Sequence, residues 1–180
     1  MLDLYTDGSC LNGRNDDWCA GFGFVFHNER RIIAVGMGSV LNGTNNIAEL
    51  SAVISGLSWL IKRGLENSRV RVVSDSMYTI NCFNKFRWVW DQRGYLSKEG
   101  NEIKNKELII YGCNILDKFK YYPKFMWVKG HAGNKYNELA DKLAGVARKR
   151  QITPIVITKR DRISILVEQN TKDLINNGIS

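Results

Sequence analysis

The sequence is poor in the devices that staple small folds together. Its four cysteines, Cys10, Cys19, Cys82 and Cys113, show no CxxC spacing, and only two histidines accompany them. That combination argues against a zinc site and against a disulfide scaffold, so free thiols in a reducing compartment are expected. No apolar run approaches the ~18 residues that would span a bilayer, so no membrane partner is expected. The opening residues, Met1-Leu2-Asp3-Leu4-Tyr5-Thr6-Asp7, lack the basic segment and long apolar core of a secretory signal. A cytoplasmic location is the resulting expectation. There is no internal repeat and no low-complexity tract. Acids are the minority among the charges, with 18 Asp and Glu against 26 Lys and Arg and a formal charge of +8. A surplus of that size points toward a polyanionic partner, although charge alone is a modest signal.

What is present is ordinary globular composition, 44% hydrophobic and 24% charged over 180 residues. That length holds one or at most two domains and a core large enough to need no staple. Leu2, Leu4 and Thr6 alternate with Asp3, Tyr5 and Asp7, the period of a strand. A polar loop from Leu11 to Asp17 follows. Gly21-Phe22-Gly23-Phe24-Val25-Phe26 predicts a second strand with a close backbone neighbour, and Arg31 to Leu41 a third. Ile47, Leu50, Ile54, Leu57 and Ile61 then recur at helical spacing, with Thr44 or Asn45 as the cap and Gly64 at the end. Val70 to Val73 reads as a strand, Asp75 or Ser76 as the cap of a further helix, and Ile103 to Phe119 as another helix. Phe125 to Val128 reads as a strand, and about Asn137 to Arg150 as the last helix. This order predicts an α/β fold with a mixed sheet, antiparallel in its first three strands and parallel afterwards, covered by helices. Residues 1–150 form the expected main domain. Residues 151–180, opened by Pro154, form an extension in which Ile155–Thr158 and Ile163–Val167 suit a hairpin, followed by a short polar segment suited to a helix. Its role is open: adding strands, covering an edge or pairing chains.

Four acids fall where stability seldom asks for one. Asp7 and Asp75 stand at strand ends, where functional groups of open α/β sheets gather. Glu49 and Asp141 lie in the first turns of helices, beside apolar stripes. Carboxylates brought together repel, and hard divalent cations such as Mg²⁺ or Mn²⁺ resolve the conflict. Two such ions about 3.5–4 Å apart form the clamp of phosphoryl-transfer nucleases. Taken singly, Asp7 and Asp75 equally suit turns or caps, and Glu49 and Asp141 suit helix N-termini.

Read in series, Thr6-Asp7-Gly8-Ser9, Thr44-Asn45-Asn46 with Glu49, Ser74-Asp75-Ser76, Val128-Lys129-Gly130-His131-Ala132-Gly133, and Asn137-Glu138 with Asp141 resemble the motifs of type 1 ribonuclease H. The resemblance covers about residues 1–150 in order and spacing. It implies a five-stranded mixed sheet flanked by helices. It also implies Asp7, Glu49, Asp75 and Asp141 as metal-binding catalytic acids, with two Mg²⁺ ions that Mn²⁺ can replace. His131, otherwise an exposed loop histidine, would assist proton transfer or product release. The implied reaction is hydrolysis of the RNA strand of an RNA–DNA hybrid, leaving 3′-hydroxyl and 5′-phosphate ends. The 2′-hydroxyl that marks RNA lies in the wide minor groove. By position Cys10, Asn12, Asn45 and Asn46 would meet it, and Thr44 a DNA phosphate. Cys10 equally suits a small buried residue.

Three departures from the commoner pattern stand out. The usual Asn-Pro-Gly stretch is replaced by Asn12-Gly13-Arg14-Asn15-Asp16-Asp17-Trp18. Met77 occupies the place of a frequent Gln, which removes an amide from the RNA side. The basic handle is weak: Lys85, Arg87, Arg93, Lys98, Lys104 and Lys106 stand against Asp91, Glu99 and Glu102. Aromatic residues interleaved with these cations suit a strand-binding channel, for which Phe86, Trp90 and Arg93 are the candidates. Any one of these aromatics also suits the core. Two other classes remain: a binding domain of this fold without activity, and a ribonuclease unit of a polyprotein. The presence of all four acids counts against the first. A start directly on the first strand favours a free-standing protein, expected to be a monomer.

Overall fold

The computed structural model describes residues 1–11, 19–41 and 43–158. Three strands come first, β1 (Leu2–Cys10), β2 (Cys19–His27) and β3 (Ile32–Leu41). Helix α1 (Asn45–Lys62) and β4 (Val70–Ser74) follow. A helical run comes next: α2 (Met77–Ile80), a π-helical stretch (Asn81–Phe86) and α3 (Arg87–Gln92). Helix α4 (Lys106–Leu116), β5 (Lys124–Trp127), α5 (Lys135–Arg150) and β6 (Ile155–Thr158) complete the order. The six-stranded sheet runs β5-β4-β1-β2-β3-β6. The pairs β1–β2, β2–β3 and β3–β6 are antiparallel, and β1–β4 and β4–β5 are parallel. The mixed sheet is therefore the one expected, with one strand more. The β-branched run Ile155–Thr158 pairs with β3. The proposed hairpin partner Ile163–Val167 and the following polar segment lie outside the described residues.

Each face of the sheet has its own core. The even residues of β1 and β2, Leu4, Phe24 and Phe26, pack with Leu50, Val53 and Leu57 of α1 and Ile109 and Leu116 of α4. The odd residues Tyr5 and Val25 pack with Leu139, Ala140 and Leu143 of α5. Burying one such leucine contributes roughly 1.5–3 kcal/mol, so the apolar stripe of α1 is what fixes the helix to the sheet. Its start is set by Thr44, whose hydroxyl accepts from the Ile47 amide at 3.3 Å. Arg63 is the C-cap, and Gly64 follows in the left-handed region at φ +67°. The close backbone neighbour anticipated for β2 is α5. A Cβ on Gly21 or Gly23 would overlap the carbonyls of Ala144 and Ala140.

Two regions differ from the pattern reading. Helix α4 is shorter than the Ile103–Phe119 expectation, because Asn105 turns left-handed at φ 59° just before it. Arg87 is no handle cation: it is buried, and its guanidinium donates to both carboxylate oxygens of Asp117 at 2.8 and 3.0 Å. Its flat face lies 4.2 Å from the centroid of the Trp88 ring. Among the described residues no helix is long and apolar enough to cross a membrane.

Candidate active site

The parallel pairing of β1 with β4 sets Thr6 opposite Ser74. The next residues, Asp7 and Asp75, therefore emerge side by side at the same end of the sheet. β4 ends at Ser74, as Asp75 requires, while β1 continues past Asp7 to Cys10. Glu49 reaches the same point from the second turn of α1. Gly8 makes that approach possible, since a Cβ there would lie 2.5 Å from the Glu49 amide nitrogen. The carboxylates of Asp7, Glu49 and Asp75 each place an oxygen within 4.8 Å of the others.

Burial, then the nearby charges of Asp75 and Asp141, pushes Asp7 up to about 8. Burial, then Asp7 and Asp75, pushes Glu49 up to about 9. An amide hydrogen bond from Gly8 opposes both shifts without cancelling them. Oε2 of Glu49 is buried without a hydrogen-bond partner. Three crowded carboxylates, one with an orphaned oxygen, form an all-oxygen donor set that fits a hard divalent cation.

Asp141, in the second turn of α5, stands at the rim of this cluster. It is close enough to act on Asp7 and Glu49, yet its side chain is 40% exposed. His131 Nδ1 lies 3.9 Å from Asp141 Oδ2, on a side chain 81% exposed. The histidine loop is anchored from α5: Glu138 Oε1 accepts from the Gly133 amide at 3.0 Å. Gly130 lets this loop run against Asp75, because a Cβ there would sit 2.5 Å from Asp75 Oδ2.

Two residues without an assigned role in the motif reading hold Asp75. Asn137, 2% exposed, donates from Nδ2 to Asp75 Oδ2 at 3.2 Å. Trp127 donates from its indole nitrogen to the Asp75 backbone carbonyl at 3.0 Å. A buried Asn three residues into a helix, on the Asp141 side, was the available signal for the first. Nothing in the residue pattern marks the second, because it depends on the β4–β5 register.

The expected substrate contacts divide. Asn45 and Asn46 are exposed in the first turn of α1, and Thr44 is the exposed cap before them. The Cys10 thiol, half-buried, donates to the Gly43 carbonyl at 3.4 Å and so ties the end of β1 to the start of α1. Asn12 lies outside the described residues. Phe86 and Trp90 pack with centroids 5.2 Å apart and ring planes tilted by 45°. They line a cleft of about 660 Å³ together with Lys85, Arg93, Lys98 and Lys104. A second cleft of about 520 Å³, lined by Ile47, Glu102, Ile103 and Asn105, lies between the start of α1 and this handle.

The family model for RNase H matches residues 1–149. The chain belongs to the ribonuclease H family, type 1. Ribonuclease HI of Haemophilus ducreyi is 36% identical over 145 residues, which is 79% of this chain and 87% of that protein. Ribonuclease H of Clostridium botulinum strain Hall is 35% identical over 148 residues, 80% of this chain and 93% of that one. Among solved structures, LC9-RNase H1, described as a type 1 RNase H with the type 2 active-site motif, superposes with a TM-score of 0.71 at 29% identity. That match covers 86% of this chain and 76% of the other. The foamy viral protease-reverse transcriptase in complex with RNA/DNA hybrid shares the fold at 22% identity and TM-score 0.72, over 82% of this chain and 20% of that one. As a ribonuclease H the chain is a nuclease, and its matched region ends one residue before the end of α5. The strand β6 that widens the sheet lies beyond that region.

Proposed function

We propose that this ribonuclease H is an endonuclease that hydrolyses the RNA strand of RNA–DNA hybrids with divalent cations, leaving 3′-hydroxyl and 5′-phosphate ends. The observation that carries the reading is the convergence of Asp7, Glu49 and Asp75 from three elements, with oxygens within 4.8 Å and Asp141 at the rim. These four acids would hold two cations, Mg²⁺ or in its place Mn²⁺. When bound, such ions supply the positive charge that activates a water and stabilises the departing oxygen of an in-line displacement.

The remaining work falls to side chains. Asp7 and Glu49, both pushed up by burial, would have to be ionised to hold a cation. Asn137 and Trp127 fix Asp75 by side chain and by backbone, so its carboxylate keeps one orientation. His131, exposed on a tethered loop beside Asp141, would carry a proton to or from the reacting strand. Asn45 and Asn46 offer amides, and Cys10 its backbone, to the 2′-hydroxyls of the RNA minor groove. The tilted Phe86–Trp90 pair offers apolar rings to the DNA strand, and Lys85 and Arg93 offer charge to its phosphates. The chain acts as a monomer in this reading, since one chain supplies all four acids.

Wild-type protein is expected to cleave a labelled hybrid in Mg²⁺. His131→Ala is expected to cut the same bonds more slowly, by roughly a hundredfold or more, without losing cleavage altogether. No cleavage by the wild type contradicts the function, and an unchanged rate in the variant removes His131 from the proton path.

A further inference from the structure

Trp127 is half exposed although its indole nitrogen is engaged. It closes β5, opposite Ser74, and its N–H donates to the carbonyl of Asp75, the residue that follows. That bond pins the ring beside one of the three clustered acids. The indole N–H is the one polar group of the side chain and it is engaged, so the exposed surface of the ring is apolar. Beside it α2 packs against β5, and Met77, the first residue of α2, is itself 51% exposed. Two residues beyond Trp127, Lys129 is exposed, and the His131 loop begins. An apolar ledge, with a cation next to it, thus borders the acid cluster on the β5 side.

The hydrogen bond fixes the ring, so its exposed surface is presented in one orientation beside the acids. Met77, at the start of α2, is a second exposed apolar side chain on this flank of the site. A strand whose phosphate sits at Asp7, Glu49 and Asp75 must continue over the neighbouring surface, and on the β5 side that surface is Trp127. We infer that Trp127 is a substrate-contact residue whose exposed ring packs against the sugar edge of the RNA strand next to the scissile phosphate. The inference rests on the hybrid-cleaving reading above. Ring-to-nucleotide packing needs no particular base, so the contact adds affinity without sequence preference.

The test uses the full chain, a labelled RNA–DNA hybrid in Mg²⁺, and steady-state kinetics beside melting temperatures. Trp127→Ala, Trp127→Leu and Trp127→Phe all lose the indole N–H that holds Asp75 and share any fall in kcat that follows from it. The Ala and Leu variants are expected in addition to raise KM about tenfold. Trp127→Phe, which keeps a flat ring, is expected to restore KM to within about twofold of wild type. The Leu variant preserves bulk, so it carries the test if the Ala variant melts early. Unchanged KM in the Ala and Leu variants overturns the inference. Equal loss of kcat in all three, at constant KM, also overturns it, because the N–H alone would then matter. A wild type that cleaves no hybrid fails the functional reading first, which separates the two failures.

Discussion

Asp7→Asn and Asp75→Asn are each expected to reduce Mg²⁺-dependent hybrid cleavage to below about a thousandth of wild type, while hybrid binding stays largely intact. Both side chains keep their size and lose their charge. Asp7 comes from β1, Asp75 follows β4, and Glu49 from α1 completes the cluster within 4.8 Å. Removing one carboxylate removes a ligand whose position two neighbouring strands define, and an amide is a poor substitute for a hard cation. In the proposed reading, binding would depend instead on the basic and aromatic surface around the clefts and on the exposed turn at Asn45 and Asn46. Single-turnover cleavage together with fluorescence anisotropy on the same hybrid separates the two effects. Full activity in either variant overturns the assignment of the acids.

The second large effect is on stability. In the folded chain Asp7 is held up to about 8 and Glu49 to about 9, mainly by burial and then by neighbouring acids. Unfolded, such groups titrate at about 4. Folded-state values raised in this way mean that the folded chain binds more protons than the unfolded one. The stabilisation is complete below pH ~4 for these two groups, falls progressively as pH rises above that, and is gone once pH has passed about 8 and about 9. Metal-free protein is therefore expected to lose roughly 10 °C of melting temperature between pH 6 and pH 9. Saturating Mg²⁺ is expected to restore much of it at pH 9 and far less at pH 6, where a cation must displace protons. Glu49→Gln is expected to flatten the pH dependence. Thermal melts by circular dichroism, with chelator or Mg²⁺, measure all three. A melting temperature that is level from pH 6 to 9 and indifferent to Mg²⁺ contradicts the account.

Local pattern carried most of the fold. Alternation in Leu2–Asp7 and the helical spacing from Ile47 to Ile61 place β1 and α1, and Thr44 places the start of the helix, because each depends on neighbours in the chain. Asp7 and Asp75 were legible as a pair only through the parallel pairing of β1 and β4, which the order of elements implied. Pairing partners set by distant segments were less legible. Ile155–Thr158 reads as a strand, yet its partner is β3, some 120 residues earlier, and no local signal names it. Charge was the least reliable guide. Arg87 counts as basic in the handle, but it is buried against Asp117 and Tyr122. Lys106 is paired with Glu102 at 2.6 Å. The handle therefore relies on Lys85, Arg93, Lys98 and Lys104 around Phe86 and Trp90. Asn137 holds Asp75 from α5 and Trp127 holds it across the β4–β5 pairing, so both act between elements rather than along the chain.

The most direct test of the central claim is cleavage of three labelled substrates side by side, an RNA–DNA hybrid, double-stranded RNA and single-stranded RNA, each with Mg²⁺ and with chelator. The account predicts cleavage of the RNA strand of the hybrid in Mg²⁺ and of nothing else. Cleavage of all three substrates, or of the hybrid in chelator, would contradict it.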